Sequence, residues 1–307
     1  MKFTPKSSRR DFLLQTAQWS GLAALTSAAA PFLASAEEAS SPAWQIGCYT
    51  RPFDKFDWRV AYDAIAEAGF KYAGLISTNT KEWIMIRVNT PPEEAQQMGE
   101  EAVKRGLKLV SAYGDFSVAK SVEEGINGLK KLIDHCVIAG CPNLLLGGVG
   151  DEKLYESYFK AVKECCEYAA SKHVGLSMKP HGGQNATGPQ CRQAIARVGH
   201  KNFGLWYDPG NIFYYSNGEL DPVTDSATVD GLVVGVSVKD YRHPKDVMVT
   251  PGTGKVNFRE VFARLRKGGF TRGPLIVECL DQGDLAKVTA EAKKTRLFLE
   301  ELTGQKA

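Results

Sequence analysis

Paired-cysteine spacings are missing from this 307-residue sequence, and histidine is scarce. The seven cysteines are Cys48, Cys136, Cys141, Cys165, Cys166, Cys191 and Cys279, with no CxxC among them. An odd number without that spacing indicates neither a zinc knuckle nor a disulfide framework, and it leaves thiols that pack as small apolar groups. The five histidines are His135, His173, His181, His200 and His243, and the first two fall in helix-like runs. That is a poor supply for a site built on several zinc ions. No GxGxxG follows the first strand-like run, where Cys48-Tyr49-Thr50-Arg51-Pro52 stands instead, so a dinucleotide-binding open sheet is not indicated. Beyond the N-terminal region no segment approaches the ~20 apolar residues of a membrane-spanning helix.

An excess of one charge is absent too, once the N-terminus is set aside. Ser8-Arg9-Arg10-Asp11-Phe12-Leu13, an alanine-rich stretch from Leu22 to Leu33 and the A-x-A of Ala34-Ser35-Ala36 resemble a twin-arginine export signal. The apolar stretch is broken by Thr26, Ser27 and Pro31, which argues against an anchor. The resemblance implies folding before export by the twin-arginine machinery, and a periplasmic or extracellular destination. Removing Lys2, Lys6, Arg9, Arg10 and Asp11 from 38 basic and 35 acidic residues leaves 34 of each sign. A chain so balanced has no bulk attraction for nucleic acid or anionic lipid.

What remains alternates short apolar runs with longer amphipathic ones. Strands are predicted at Gln45–Thr50, Tyr72–Ser77, Leu107–Gly114, Asn143–Val149, Val174–Lys179, Phe203–Asp208, Val233–Lys239 and Pro274–Leu280. Between them lie helical runs at Trp58–Ala68, Pro92–Arg105, Ala119–Ala139, Lys153–Lys172, Gly188–Val198, Asp221–Asp230 and Asn257–Lys267, and Leu285–Leu302 closes the series. Eight such units over about 260 residues match a single (β/α)8 TIM barrel. The expected organisation is a signal over 1–36, a linker over 37–44, the barrel over 45–302 and a tail over 303–307.

Active sites of such barrels sit at the C-terminal ends of the strands, and here those ends are polar. Strand five ends in Ser177-Met178-Lys179-Pro180-His181, strand six in Asp208-Pro209-Gly210-Asn211, strand seven in Ser237-Val238-Lys239-Asp240 and strand eight in Glu278. Alternation puts Lys179, Asp208, Lys239 and Glu278 on the inward face, so four charges are expected to converge. Three of the strand-end residues also have a plainer reading: Asp208 as a cap for the turn at Pro209, Lys179 as an ion-pair partner and His181 as a loop histidine bonded to backbone. Asn211, Arg242 and His243 are candidate substrate contacts by loop position, and Tyr214 and Tyr215 are a candidate platform for a sugar face.

Asp208-Pro209-Gly210-Asn211, Lys239-Asp240, Pro251-Gly252-Thr253-Gly254 with Val256-Asn257-Phe258, and Pro274-Leu275-Ile276-Val277-Glu278 resemble the second half of the xylose isomerase-like barrel family. That family includes sugar phosphate isomerases/epimerases, ketose 3-epimerases, inosose dehydratases and the endonuclease IV type of nuclease. In its sugar-active members a divalent metal is held by Glu, Asp, His and Glu after strands five to eight. Asp208 and Glu278 match the second and fourth positions, but Lys179 stands at the first and Ser237 at the third, with His181 the nearby replacement ligand. Two carboxylates against two lysines close to zero without an ion, so the sequence leaves a divalent metal on Asp208, Glu278 and His181 open.

The resemblance implies an exported sugar isomerase or epimerase. A carboxylate such as Glu278 takes a proton beside a carbonyl, and a metal or the Lys179 ammonium steadies the enediolate. The alternative is a metal-free carbohydrate-binding protein or lyase on the same barrel, with Lys179 and Lys239 gripping an acidic or oxidised sugar. No nucleotide cofactor is implied, a nuclease is disfavoured, and the oligomeric state is left open.

Overall fold

The computed structural model describes residues 43–306, so the twin-arginine signal expected over 1–36 lies outside the described residues. Eight parallel strands close into a barrel in sequence order: β1 (Trp44–Tyr49), β2 (Tyr72–Leu75), β3 (Lys108–Gly114), β4 (Asn143–Leu146), β5 (Gly175–Met178), β6 (Phe203–Tyr207), β7 (Val233–Val238) and β8 (Gly273–Val277). Closure pairs Ile46 of β1 with Leu275 of β8. Around the barrel run α1 (Trp58–Glu67), α2 (Pro92–Lys104), α3 (Val122–Ile138), α4 (Tyr155–Ser171), α5 (Gly188–Val198), α6 (Pro209–Tyr215), α7 (Pro222–Ser226), α8 (Phe258–Lys267) and α9 (Leu285–Thr303). This is the (β/α)8 fold that the alternation predicts. No described helix is long and apolar enough to cross a membrane.

The helices form for local reasons. In α8, Phe258, Val261, Phe262 and Leu265 repeat at three- and four-residue spacing and are buried. Asn257 caps its first turn by accepting from the Glu260 N–H, and Arg264, Arg266 and Lys267 sit where the carbonyl end of the helix dipole favours cations. The C-terminal tail is tied down: the Gln305 side chain accepts from the Trp44 N–H at 2.9 Å and donates to its carbonyl at 2.7 Å. The main core lies between strands and helices and takes in all seven cysteines except Cys279; all seven are buried and free.

A second, smaller layer fills the barrel interior: Tyr49, Ile76, Val110, Leu145, Trp206 and Ile276. Opposite Trp206 only a glycine fits, because a Cβ on Gly235 would stand 2.4 Å from the indole ring. This layer also fixes the phase of the strand ends. Trp206 and Ile276 point inward, so Asp208 and Glu278, two residues further on, emerge on the same side.

Candidate active site

The four charged strand ends meet above the interior layer. Lys179 and Lys239 are 1% and 2% exposed and Asp208 and Glu278 are fully buried, so no partner is supplied by bulk water. The Lys179 ammonium donates to both Glu278 oxygens at 2.7 and 2.8 Å and stands 3.6 Å from Asp208. Lys239 lies 2.6 Å from Glu278 Oε1 and donates to Asp208 Oδ2 at 3.0 Å and Asn211 Oδ1 at 3.1 Å. Asp208 is both a cap and a site residue: its Oδ1 accepts from the Asn211 N–H at the start of α6 while Oδ2 holds Lys239.

A fifth charge, not anticipated from the sequence, joins them. Arg51, in the 3-10 turn Arg51–Phe53 after β1, reaches Glu278 Oε1 at 3.2 Å. The cluster therefore carries three cations against two carboxylates, not the balance counted from four residues. Burial opposes ionisation of Glu278, but Lys179, Lys239 and Arg51 together outweigh it and hold the carboxyl well below its usual range. For Lys239 burial is likewise outweighed, by Asp208 and Glu278, and its pKa rises. Burial raises Asp208 despite the two lysines. Lys179 is lowered, because burial and repulsion from Lys239 and Arg51 exceed the pull of Glu278 and Asp208.

These atoms do not fit a divalent ion. Among the described residues no three His, Cys, Asp or Glu side chains converge to hold one. Both carboxylates are already bonded to ammonium groups, and two more positive charges would meet a cluster already one cation in excess. The ligand set Asp208, Glu278 and His181 is thus not assembled. His181 instead sits on the turn after β5, its ring 6.1 Å from that of Tyr113 and 5.9 Å from that of Tyr215. Its backbone N–H donates to the Asn185 carbonyl. Crowding by protein, then Lys179 and Lys239, push its pKa down to about 3, so the imidazole is neutral at neutral pH. Gly182 follows at φ +88°, and a Cβ there would lie 2.6 Å from the Tyr215 ring, which ties the position of this turn to α6.

A cavity of about 300 Å³ opens above the cluster, lined by Arg51, Ile76, Trp83, Ile84, Tyr113, Asp115, Lys179 and His181. Trp83 donates through Nε1 to Asp54 at 3.1 Å, and the Arg51 guanidinium lies 5.7 Å from its ring. Asp115 accepts from the Phe116 N–H with one oxygen and is exposed at the mouth, where partial desolvation by the surrounding protein raises its pKa. A larger groove of about 940 Å³, lined by residues such as Gln96, Val103, Leu107, Ile138 and Pro142, contains none of these groups. It is at the smaller cavity that charged and polar groups converge at the strand ends.

The remaining candidates fall away from the cavity wall. Asn211 is buried and its amide is engaged on both sides, donating to the Pro180 carbonyl at 2.7 Å and accepting from Lys239, so it is a strut and not a substrate contact. Arg242 is exposed and paired with Asp281 and Asp246, and His243 is exposed beside it. Tyr214 packs against Tyr215 with Lys245 over its ring; of the two, Tyr215 faces His181. Glu278, expected as the base, is a poor one with three cations fixing its charge. Sequence reasoning missed Arg51, Trp83, Tyr113 and Asp115. The rule that polar strand ends carry the site, applied to β1 and β3 as it was to β5–β8, would have found all but Trp83.

Asp240 gives the Pro251-Gly252-Thr253-Gly254 motif a structural role. Its carboxylate accepts backbone N–H groups of Tyr241 and Val256 on one oxygen and of Gly252 and Gly254 on the other, at 2.8–3.0 Å. It thereby folds the Pro251–Gly254 segment onto the end of β7.

Residues 62–302 match the family described as "Xylose isomerase-like TIM barrel". No curated protein matches the sequence. Among solved structures the chain is similar to a xylose isomerase domain protein from Planctomyces limnophilus, 19% identical over 86% of this chain and 99% of that one, TM-score 0.64. A xylose isomerase-like TIM barrel protein from Mycobacterium smegmatis in complex with magnesium is 18% identical, with 85% and 97% covered and a TM-score of 0.68. A D-allulose 3-epimerase from Methylomonas sp. in complex with D-allulose is 16% identical, with 85% and 98% covered and a TM-score of 0.64. At such identities these are likenesses of fold.

Proposed function

The chain belongs to the xylose isomerase-like TIM barrel family, and from that premise we propose that it is an exported sugar isomerase or epimerase whose cation at the reacting carbonyl is an ammonium and not a metal ion. The observation that carries this reading is the buried cluster of Lys179, Lys239, Asp208 and Glu278 under a cavity with both apolar and polar walls. Trp83, Ile84 and Tyr113 offer surfaces for the apolar face of a sugar chain, while Lys179 and Arg51 present cations for its carbonyl oxygen. When a proton leaves the neighbouring carbon, negative charge grows on that oxygen, and cations already fixed by carboxylates stabilise it without reorganising. Asp115 is the proposed proton acceptor, because it lines the cavity, retains an oxygen beyond its one backbone bond and has a raised pKa.

Ketohexoses are the first substrates to try, since D-allulose and D-fructose are named with the epimerases that share this fold. The purified protein, treated with EDTA, should wash deuterium from D2O into the carbon beside the ketose carbonyl, followed by proton NMR. Asp115→Asn should slow that exchange roughly 100-fold or more while the melting temperature stays close to wild type. Exchange that disappears with EDTA and returns with magnesium would falsify the ammonium reading.

The uncompensated third cation favours a second reading, a binding protein or lyase for an acidic sugar. Calorimetry with D-glucuronate and D-gluconate against D-glucose separates the two: preference for the acids without deuterium exchange supports the second.

A further inference from the structure

We propose that Lys179 is a covalent catalyst, its side-chain nitrogen condensing with the carbonyl of an open-chain sugar to form an iminium. This deepens the proton-transfer reading and rests on it for the substrate class. Of the two buried lysines only Lys179 lines the cavity, with its nitrogen 5.8 Å from the Tyr113 ring centre. Lys239 is instead held by Asp208, Asn211 and Glu278. With three cations sharing two carboxylates, one cation is undercompensated, and the second lysine and Arg51 press on the first. Burial and that repulsion lower Lys179 below the ordinary lysine value, which makes the free amine accessible. Asp208, 3.6 Å away and with a raised pKa, is the nearby group able to receive its proton.

The step balances within the cluster. Lys179 gives a proton to Asp208, and the amine lone pair attacks the carbonyl carbon as the C=O pair moves onto oxygen. A proton shifts from nitrogen to that oxygen, giving a carbinolamine. The proton on Asp208 passes to the hydroxyl, the C–O bond breaks, water leaves and the nitrogen lone pair closes the C=N bond. In sum an ammonium and a carbonyl become an iminium and water. The nitrogen carries one positive charge before and after, so Glu278 and Asp208 face the same electrostatics in both states. The iminium in turn acidifies the adjacent C–H, which Asp115 can then take.

The test is reductive trapping. The protein is incubated with dihydroxyacetone or D-fructose and sodium cyanoborohydride, and peptides are mapped by mass spectrometry. One stable adduct on Lys179 is expected, formed at least tenfold faster than on any other lysine and lost in Lys179→Arg, which keeps a cation between the carboxylates. No adduct, or adducts spread over exposed lysines and unchanged in Lys179→Arg, overturns the proposal. Should that variant fail to fold, the position of the adduct in the wild-type protein decides. Deuterium exchange measured on the same samples keeps the two claims apart. Exchange without an adduct sinks the covalent step alone, whereas an adduct without exchange sinks the proton-transfer reading and leaves the covalent step standing.

Discussion

A single side chain can be chemically active or inert depending on how many opposite charges it must share. Glu278 binds three cations and cannot readily take a proton, while Asp115, a strand end with one backbone bond, can. His181 illustrates the same logic for a neutral group. Its pKa is about 3 in the folded protein against about 6.5 unfolded, so the unfolded chain binds more protons and stability falls as pH drops. The loss starts near the unfolded value and continues toward the folded one. The ring is open to the cavity and solvent screens part of the cost, so the slope stays below the ~1.4 kcal/mol per pH unit that one proton sets as a ceiling. Urea unfolding between pH 7 and pH 5, above the range where most carboxylates titrate, should show this slope, and His181→Asn should reduce it, the remainder coming from His135, which burial also lowers.

Among the elements, strands were legible because their apolar runs are short, aliphatic and bounded by glycine, proline or polar residues, as at Leu144–Leu146 and Leu275–Val277. Helix α6 was not, although Asp208 before Pro209 is an N-cap and first-turn pair, because Gly210-Asn211 reads equally as a turn. The second half of the site could be read because a charge at the end of an apolar strand is costly unless partnered. The first half could not. Arg51 meets Glu278 across 227 residues only because the barrel closes, and Trp83 lies in a segment without periodicity whose bridge between Ser77 and Ile84 folds it over the mouth. Asp240 makes a prediction at this scale. Asp240→Ala removes the acceptor for four backbone N–H groups and should cost at least about 3 kcal/mol in chemical denaturation. An unchanged midpoint would mean water replaces the carboxylate.

At the level of the whole molecule, the charge balance bears on the proposed export. With its first 36 residues removed the chain carries equal numbers of basic and acidic residues, and its positive charge excess resides in the proposed signal. Replacing both Arg9 and Arg10 with lysine should keep the protein in the cytoplasm, as fractionation and immunoblotting would reveal; normal accumulation in the periplasm would count against that route.

The interior layer of Tyr49, Trp206 and their neighbours has a kinetic corollary. Ile76 belongs both to this layer and to the cavity lining, so the packed interior forms the floor of the cavity. A ligand of the proposed reaction cannot pass through that floor, so it would enter and leave on the side of the strand ends. Under the proposed reaction, product should therefore compete with substrate, and where chemistry is fast the rate should follow product exit past Trp83.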